Sequence, residues 1–238
     1  MTGIDKLDFF KFEREGLDFP FYRNNPKLNI GKWIILGISF IITMVLILIP
    51  STFGVDFKNL LYFLIPFIGF GIAVSWKYDL ICKKFQRNDF KLIITLIVLE
   101  LIFSIAIAFI MKSVFNIHGQ TNPAIGNLDN IIFWIKFPLQ IFGEELLKII
   151  PFLIFLTIFY KITDNRKISI VISTVVALII FGIMHLPTYN NLIYSIIVIG
   201  FGSIFTMFGY LKTKNIFVSY LIHLLFDLIP FLGSLLFL

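Results

Sequence analysis

Residues 92–111 read LIITLIVLELIFSIAIAFIM, twenty residues with a single ionisable side chain, Glu100. Wound as a helix rising about 1.5 Å per residue, this run is about 30 Å long, the thickness of a bilayer's hydrocarbon core. Six further runs meet the same test: 33–49, 60–76, 131–159, 168–186, 192–210 and 216–238. The run 60–76 is short and carries Pro66, while 131–159 is long and carries Pro138 and Pro151. The long run reads as an interfacial piece leading into a kinked span. The expected fold is therefore all-α, a polytopic transmembrane helical bundle of about seven spans.

Composition agrees. Of 238 residues, 58% are hydrophobic and 14% charged, against roughly 45–50% and about 25% in a soluble domain. The lipid bilayer is the natural solvent for such a chain. The one cysteine, Cys82, forms no internal disulfide and is expected as a plain thiol in a short loop. No cleavable signal peptide is evident in residues 1–32, which mix acids, bases and phenylalanines. They read as a tail on the membrane surface, interfacial around Asp18-Phe19-Pro20-Phe21-Tyr22.

The net charge of +6 is a topology signal and does not imply a nucleic-acid partner. Lys6, Lys11, Arg14, Arg23, Lys27 and Lys32 precede the first run; Lys77, Lys83, Lys84, Arg87 and Lys91 lie between the second and third. Lys161, Arg166 and Lys167 follow the fourth, and Lys212 and Lys214 the sixth. The opposite loops hold only Lys58 and Lys112. By the positive-inside rule the N-terminus is cytoplasmic in a multi-pass protein of the cell membrane.

Against this background the ionisable residues inside the runs stand out. They are Glu100, Glu144, Glu145, Lys148, His185, His223 and Asp227. A charge at mid-membrane costs about 2.5–3.5 kcal/mol, so these groups must meet one another or a polar cavity. Glu144 and Lys148, four apart, are expected to pair, and Glu100 to serve Lys148 or a hydroxyl. His223 and Asp227, also four apart, share a helix face. Glu144 and Glu145 point about 100° apart, so one can face a cavity while the other meets a neighbouring helix. Imidazoles and carboxylates in a dry cavity are the parts of a water-activating site; the same parts would equally ligate a divalent metal such as zinc. No role is assigned to His118. Counted at 1.5 Å per residue, His185 lies about 25 Å along its run and His223 about 10 Å along its own, so the two depths do not coincide.

Three short motifs follow in order on separate runs: Glu144-Glu145, Phe181-Gly182-Ile183-Met184-His185, and His223-Leu224-Leu225-Phe226-Asp227. In this the sequence resembles the CPBP family of intramembrane proteases, grouped with type II CAAX prenyl endopeptidases and bacteriocin-processing or immunity (Abi) proteins. Lys214-Asn215-Ile216 is similar to that family's approach to its last motif, and Asp18-Phe19-Pro20-Phe21-Tyr22 to the tail of some members. The resemblance implies a tail over 1–32, transmembrane helices and an outer loop over 33–130, and a catalytic core over 131–238. It also implies an endopeptidase that hydrolyses a membrane-associated peptide or protein, either a CAAX-type C-terminus or a leader or signal peptide. Glu144 would activate the water, with His185 positioning it. His223 and Asp227 would hold the oxyanion or complete the water site, and Glu145 would support them. The catalytic type is left as metallo- or glutamate-type. One position departs: where the family carries arginine, four residues after the second glutamate, this chain has Ile149, with Lys148 just before it. That departure favours the other reading, a non-enzymatic bacteriocin-immunity or scaffolding protein. An ion- or proton-coupled transporter using Glu100, Glu144 and Asp227 is a third, against which no repeated halves are seen.

Overall fold

The structure, a computed structural model, describes residues 8–49, 55–118, 122, 125–126, 128 and 130–236. Among them no strand forms. The helices are α1 (Ile30–Leu48), α2 (Val55–Val74), α3 (Arg87–Phe115), α4 (Ile131–Thr163), α5 (Arg166–Met184), α6 (Leu186–Tyr189), α7 (Leu192–Tyr194), α8 (Ile204–Thr213) and α9 (Ile216–Leu236). Seven stretches of the described residues are long and apolar enough to cross a membrane, with α7 and α8 belonging to one of them. This is a multi-pass helical membrane protein. The ends of the runs at residues 49–50 and 237–238, and residues 1–7 of the tail, abut or lie outside the described residues.

Local chemistry sets the helix ends. Asn29, Asn130, Asn165 and Asn191 each accept a backbone N–H of the first turn of α1, α4, α5 and α7, satisfying a donor that has no partner within the helix. Asp164 and Lys214 end α4 and α8 in the left-handed conformation, turning the chain sharply into the next helix.

α4 is the centre of the bundle: 56% of its most apolar window is buried, against 22% for α1 and α3. It is one continuous helix through Pro138 and Pro151, and the expected separate interfacial piece does not form. Proline removes one ladder hydrogen bond, which packed neighbouring helices make tolerable within a bundle.

The sixth span is not the plain helix expected over 192–210. It runs from α7 into a π-helical turn, Ser195–Gly200, then breaks at 201–203 before α8. Here two backbones nearly touch. A Cβ on Gly182 would meet Ile196 Cα and Ser195 O at 2.7 Å, and one on Gly200 would meet Leu178 O at 2.5 Å. Only glycine permits α5 to lie so close to the widened turn.

The N-terminal segment is packed into the helical bundle. Phe19, Phe21 and Tyr22 are buried, with the Phe19 ring edge-on to Phe152, centroids 5.1 Å apart. The reason is charge. Arg166, at the start of α5, donates to both Glu13 oxygens (2.7 and 2.6 Å), to Asp18 Oδ1 (2.9 Å) and to the Tyr22 hydroxyl (2.8 Å). Lys214, in the turn before α9, donates to Glu13 Oε2 at 2.6 Å. Two buried cations thus draw the segment in. Burial alone would raise the Glu13 carboxyl, but Arg166 and Lys214 hold it below its ordinary value. Burial also pulls the Lys214 ammonium down to about 8, against the opposing pull of Glu13. Cys82 is a free, half-buried thiol as expected, and burial pushes it up to about 11.

Candidate active site

Three helices meet at the polar residues. α4 brings Glu144 and Glu145, the C-terminal cap of α5 brings His185, and the second turn of α9 brings His223, with Asp227 one turn further. The two glutamates face different partners, as their 100° offset requires. Glu145 is fully buried. Its Oε1 accepts from Lys148 Nζ at 2.6 Å and from His223 Nδ1 at 2.8 Å, and the Ser219 hydroxyl lies against its Oε2. That hydroxyl also lies 2.8 Å from the Thr206 carbonyl; having one proton, it donates to one acceptor at a time.

Glu144 faces the histidines. Gln140, one turn earlier on α4, donates to its Oε1 at 2.9 Å. Its Oε2 stands 3.7 Å from His185 Nε2 and 3.8 Å from His223 Nε2. His223 Nε2 is also 3.7 Å from Asp227 Oδ2. These gaps are too wide for a direct hydrogen bond. The two histidines do converge, although one lies far along α5 and the other near the start of α9. The two helices therefore do not run parallel from a common level.

Both rings are fixed at the other nitrogen. His185 Nδ1 lies 2.9 Å from the Phe181 carbonyl, which only accepts, so the proton sits on Nδ1. His223 Nδ1 meets the Glu145 carboxylate in the same sense. Each Nε2 therefore presents a lone pair when the ring is neutral, and donates only when the ring carries a second proton. Phe181 is the plate between these groups. Its ring centroid lies 4.7 Å from Lys148 Nζ, 4.7 Å from the His185 ring and 5.9 Å from the His223 ring.

Side-chain exposure is graded across the cluster: 0% for Glu145, 10% for His223, 13% for Glu144, 19% for His185 and 25% for Asp227. All five sequence-identified residues are brought together, and His118 stays exposed between α3 and α4.

Two expected pairings fail. Lys148 binds Glu145, not Glu144, because the (i, i+3) geometry lets its ammonium also reach Thr206 Oγ1 at 2.5 Å and the Phe181 face. Glu100 makes no direct ion pair with Lys148: it is buried on α3, near enough to feel the charges of Lys148 and His223, and its Oε2 has no hydrogen-bond partner. Ile149, where the family carries arginine, lies fully buried in the main apolar core. Gln140, Thr206 and Ser219 were missed from sequence, since isolated hydroxyls and amides in apolar runs carry no spacing signal.

A metal ion needs three or more protein donors around one point. Among the described residues, no three His, Cys, Asp or Glu side chains are disposed to hold one. His223 Nδ1 meets Glu145, which leaves the Nε2 atoms of both histidines facing Glu144 Oε2 at 3.7–3.8 Å.

A family model described as type II CAAX prenyl endopeptidase, Rce1-like, matches residues 126–229. The match spans all three motifs and supports a protease of the CPBP family. No curated protein matches the chain, and no solved structure does.

Proposed function

We propose, from that match, that the chain is an intramembrane endopeptidase. In this reading it lies in the cell membrane with its N-terminus in the cytoplasm. It cuts a membrane-associated peptide or protein, either a CAAX-type C-terminus or a leader or signal peptide. The single observation that carries the reading is the shared focus of Glu144 Oε2, His185 Nε2 and His223 Nε2, delivered by three helices within 3.7–3.8 Å. The basic loops support the orientation.

The chemistry follows from the anchoring. A water held between Glu144 and a histidine Nε2 gives its proton to Glu144. The oxygen attacks the peptide carbonyl carbon, and the carbonyl electron pair moves onto oxygen. The resulting oxyanion needs a donor, and His223 supplies one as the imidazolium, its Nε2–H directed by the Glu145 bond at Nδ1. His185 positions the water and Asp227 completes the water site. Glu144 then returns its proton to the amide nitrogen as the C–N bond breaks. Lys148 offsets the charge of Glu145 and leaves Glu144 to act as the base. No metal ion is used in this scheme.

Glu144→Gln keeps the hydrogen bond to Gln140 and removes the base. Cleavage of a membrane-embedded peptide in proteoliposomes should fall by about 10²–10⁴-fold with the bundle intact; unchanged turnover would refute the assignment. The non-enzymatic immunity or scaffolding reading draws on Ile149, and it requires the Glu144→Gln protein to retain the cellular phenotype in full.

A further inference from the structure

A cleft of about 420 Å³ opens at the basic end of the bundle, between the N-terminal segment, the start of α1 and the end of α4. Three cations line it, Arg23, Lys27 and Lys161, against one acid, Asp164. Arg23 is held in place. Its guanidinium lies 5.3 Å from the Tyr22 ring and 5.1 Å from the Tyr160 ring, and it donates to the Tyr160 hydroxyl at 3.1 Å and to Asp8 at 2.6 Å. Lys27 and Lys161 are exposed, and neither is paired with a carboxylate among the described residues. Their charges are free for a ligand.

The surroundings say what kind of ligand. Next to the cleft, α1 turns Ile30 and Ile34 outward, 77% and 51% exposed, and α4 turns out Ile162, 71% exposed. Trp33 and Tyr160 also line the cleft; such amphipathic rings are favoured where hydrocarbon meets headgroups. A free anion would find two solvated lysines opposed by Asp164, which is a weak arrangement. An amphiphile gains from both surfaces, its anionic head between the lysines and its chains along Ile30 and Ile34.

We infer that this cleft binds the phosphate headgroup of an anionic phospholipid from the leaflet at the basic end of the bundle. The inference is independent of any proteolytic activity.

The test uses the full chain in uncharged detergent micelles, with lipid retention read by native mass spectrometry and by Trp33 emission in a variant carrying Trp76→Phe and Trp134→Phe. Phosphatidylglycerol should be retained in preference to phosphatidylcholine, and Lys27→Gln and Lys161→Gln should each weaken that retention about fivefold. Lys84→Gln and Lys91→Gln, each removing one charge, the first between α2 and α3 and the second in the first turns of α3, should leave retention unchanged. Glycerol phosphate should neither move Trp33 emission nor displace phosphatidylglycerol. Three results overturn the inference: equal retention of phosphatidylcholine, equal loss in both lysine pairs, or displacement by glycerol phosphate, which would reassign the cleft to a soluble phosphate ester.

Discussion

Glu145 Oε1 and His223 Nδ1 lie 2.8 Å apart, joining α4 to α9 across 78 residues of chain. The same oxygen holds Lys148. The second glutamate of the pair is thus spent on charge balance and on aiming a ring.

That geometry predicts a pattern of variants. Glu145→Gln strands a buried ammonium and should cost about 3–5 kcal/mol of stability. Glu145→Gln with Lys148→Met removes both charges and should recover most of it, measured by thermal unfolding in micelles. Cleavage should stay depressed by about 10²-fold or more in the double variant, because His223 has lost its anchor. Recovered activity would show that the anchor is dispensable.

The near-contact of α5 with the widened turn before α8 can be probed in the same way. Gly182→Ala places a methyl 2.7 Å from Ile196 Cα and Ser195 O. It should destabilise by about 1–3 kcal/mol and lower activity by shifting His185, three residues on. Gly37→Ala on α1 meets nothing within 4 Å and should be neutral or stabilising by up to about 1 kcal/mol. Equal melting temperatures for the two variants would contradict this packing.

Chelation gives a third test. The glutamate scheme uses no metal ion, so cleavage should be undiminished after EDTA or phenanthroline treatment and dialysis. Loss of activity that zinc restores would replace the glutamate scheme with a metal-assisted one.

The docked N-terminal segment should respond to acid. Glu13 faces Arg166, Lys214 and the Phe10 N–H, with Asp18 on the same guanidinium. Its carboxyl lies below the ordinary value of 4.5, so the unfolded segment binds the proton more readily than the docked one. The contribution of Glu13 is therefore complete above 4.5 and lost as pH falls through the lower, docked value. Trp33 packs against Phe21, ring centroids 5.7 Å apart. In a variant carrying Trp76→Phe and Trp134→Phe, its emission should stay constant from pH 7 to 5 and shift to the red below about 4. With Glu13→Gln added, that acid step should disappear.

Much of this was legible in the sequence, for a physical reason. An apolar run long enough to cross a bilayer has few alternatives, so the spans could be placed. Seven ionisable residues inside the runs stood out because charge there needs a partner, and the three motifs of the resemblance narrowed them to five. The partners themselves were harder. A helix offers Lys148 both Glu144 and Glu145, and the choice is made by Thr206 and Phe181 on other helices. The π-helical turn at Ser195–Gly200 leaves no mark, since its cause lies in Gly182 on α5. The burial of the aromatic stretch at 19–22 was not legible because its counter-charges, Arg166 and Lys214, are far away in sequence and enter from two separate turns.

The exposure gradient has one more consequence. Glu145 seals the rear of the cluster while Asp227 and His185 form its open flank, so under the proteolytic reading a scissile carbonyl arrives from that side alone. A carbonyl inside a helix is already bonded to the amide four residues on and is wrapped by its own side chains. The polypeptide to be cut must therefore be offered unwound. Selectivity would then rest less on which residues flank the bond than on how easily that stretch gives up its helix, favouring chain ends and glycine- or proline-rich segments over the middle of a stable span.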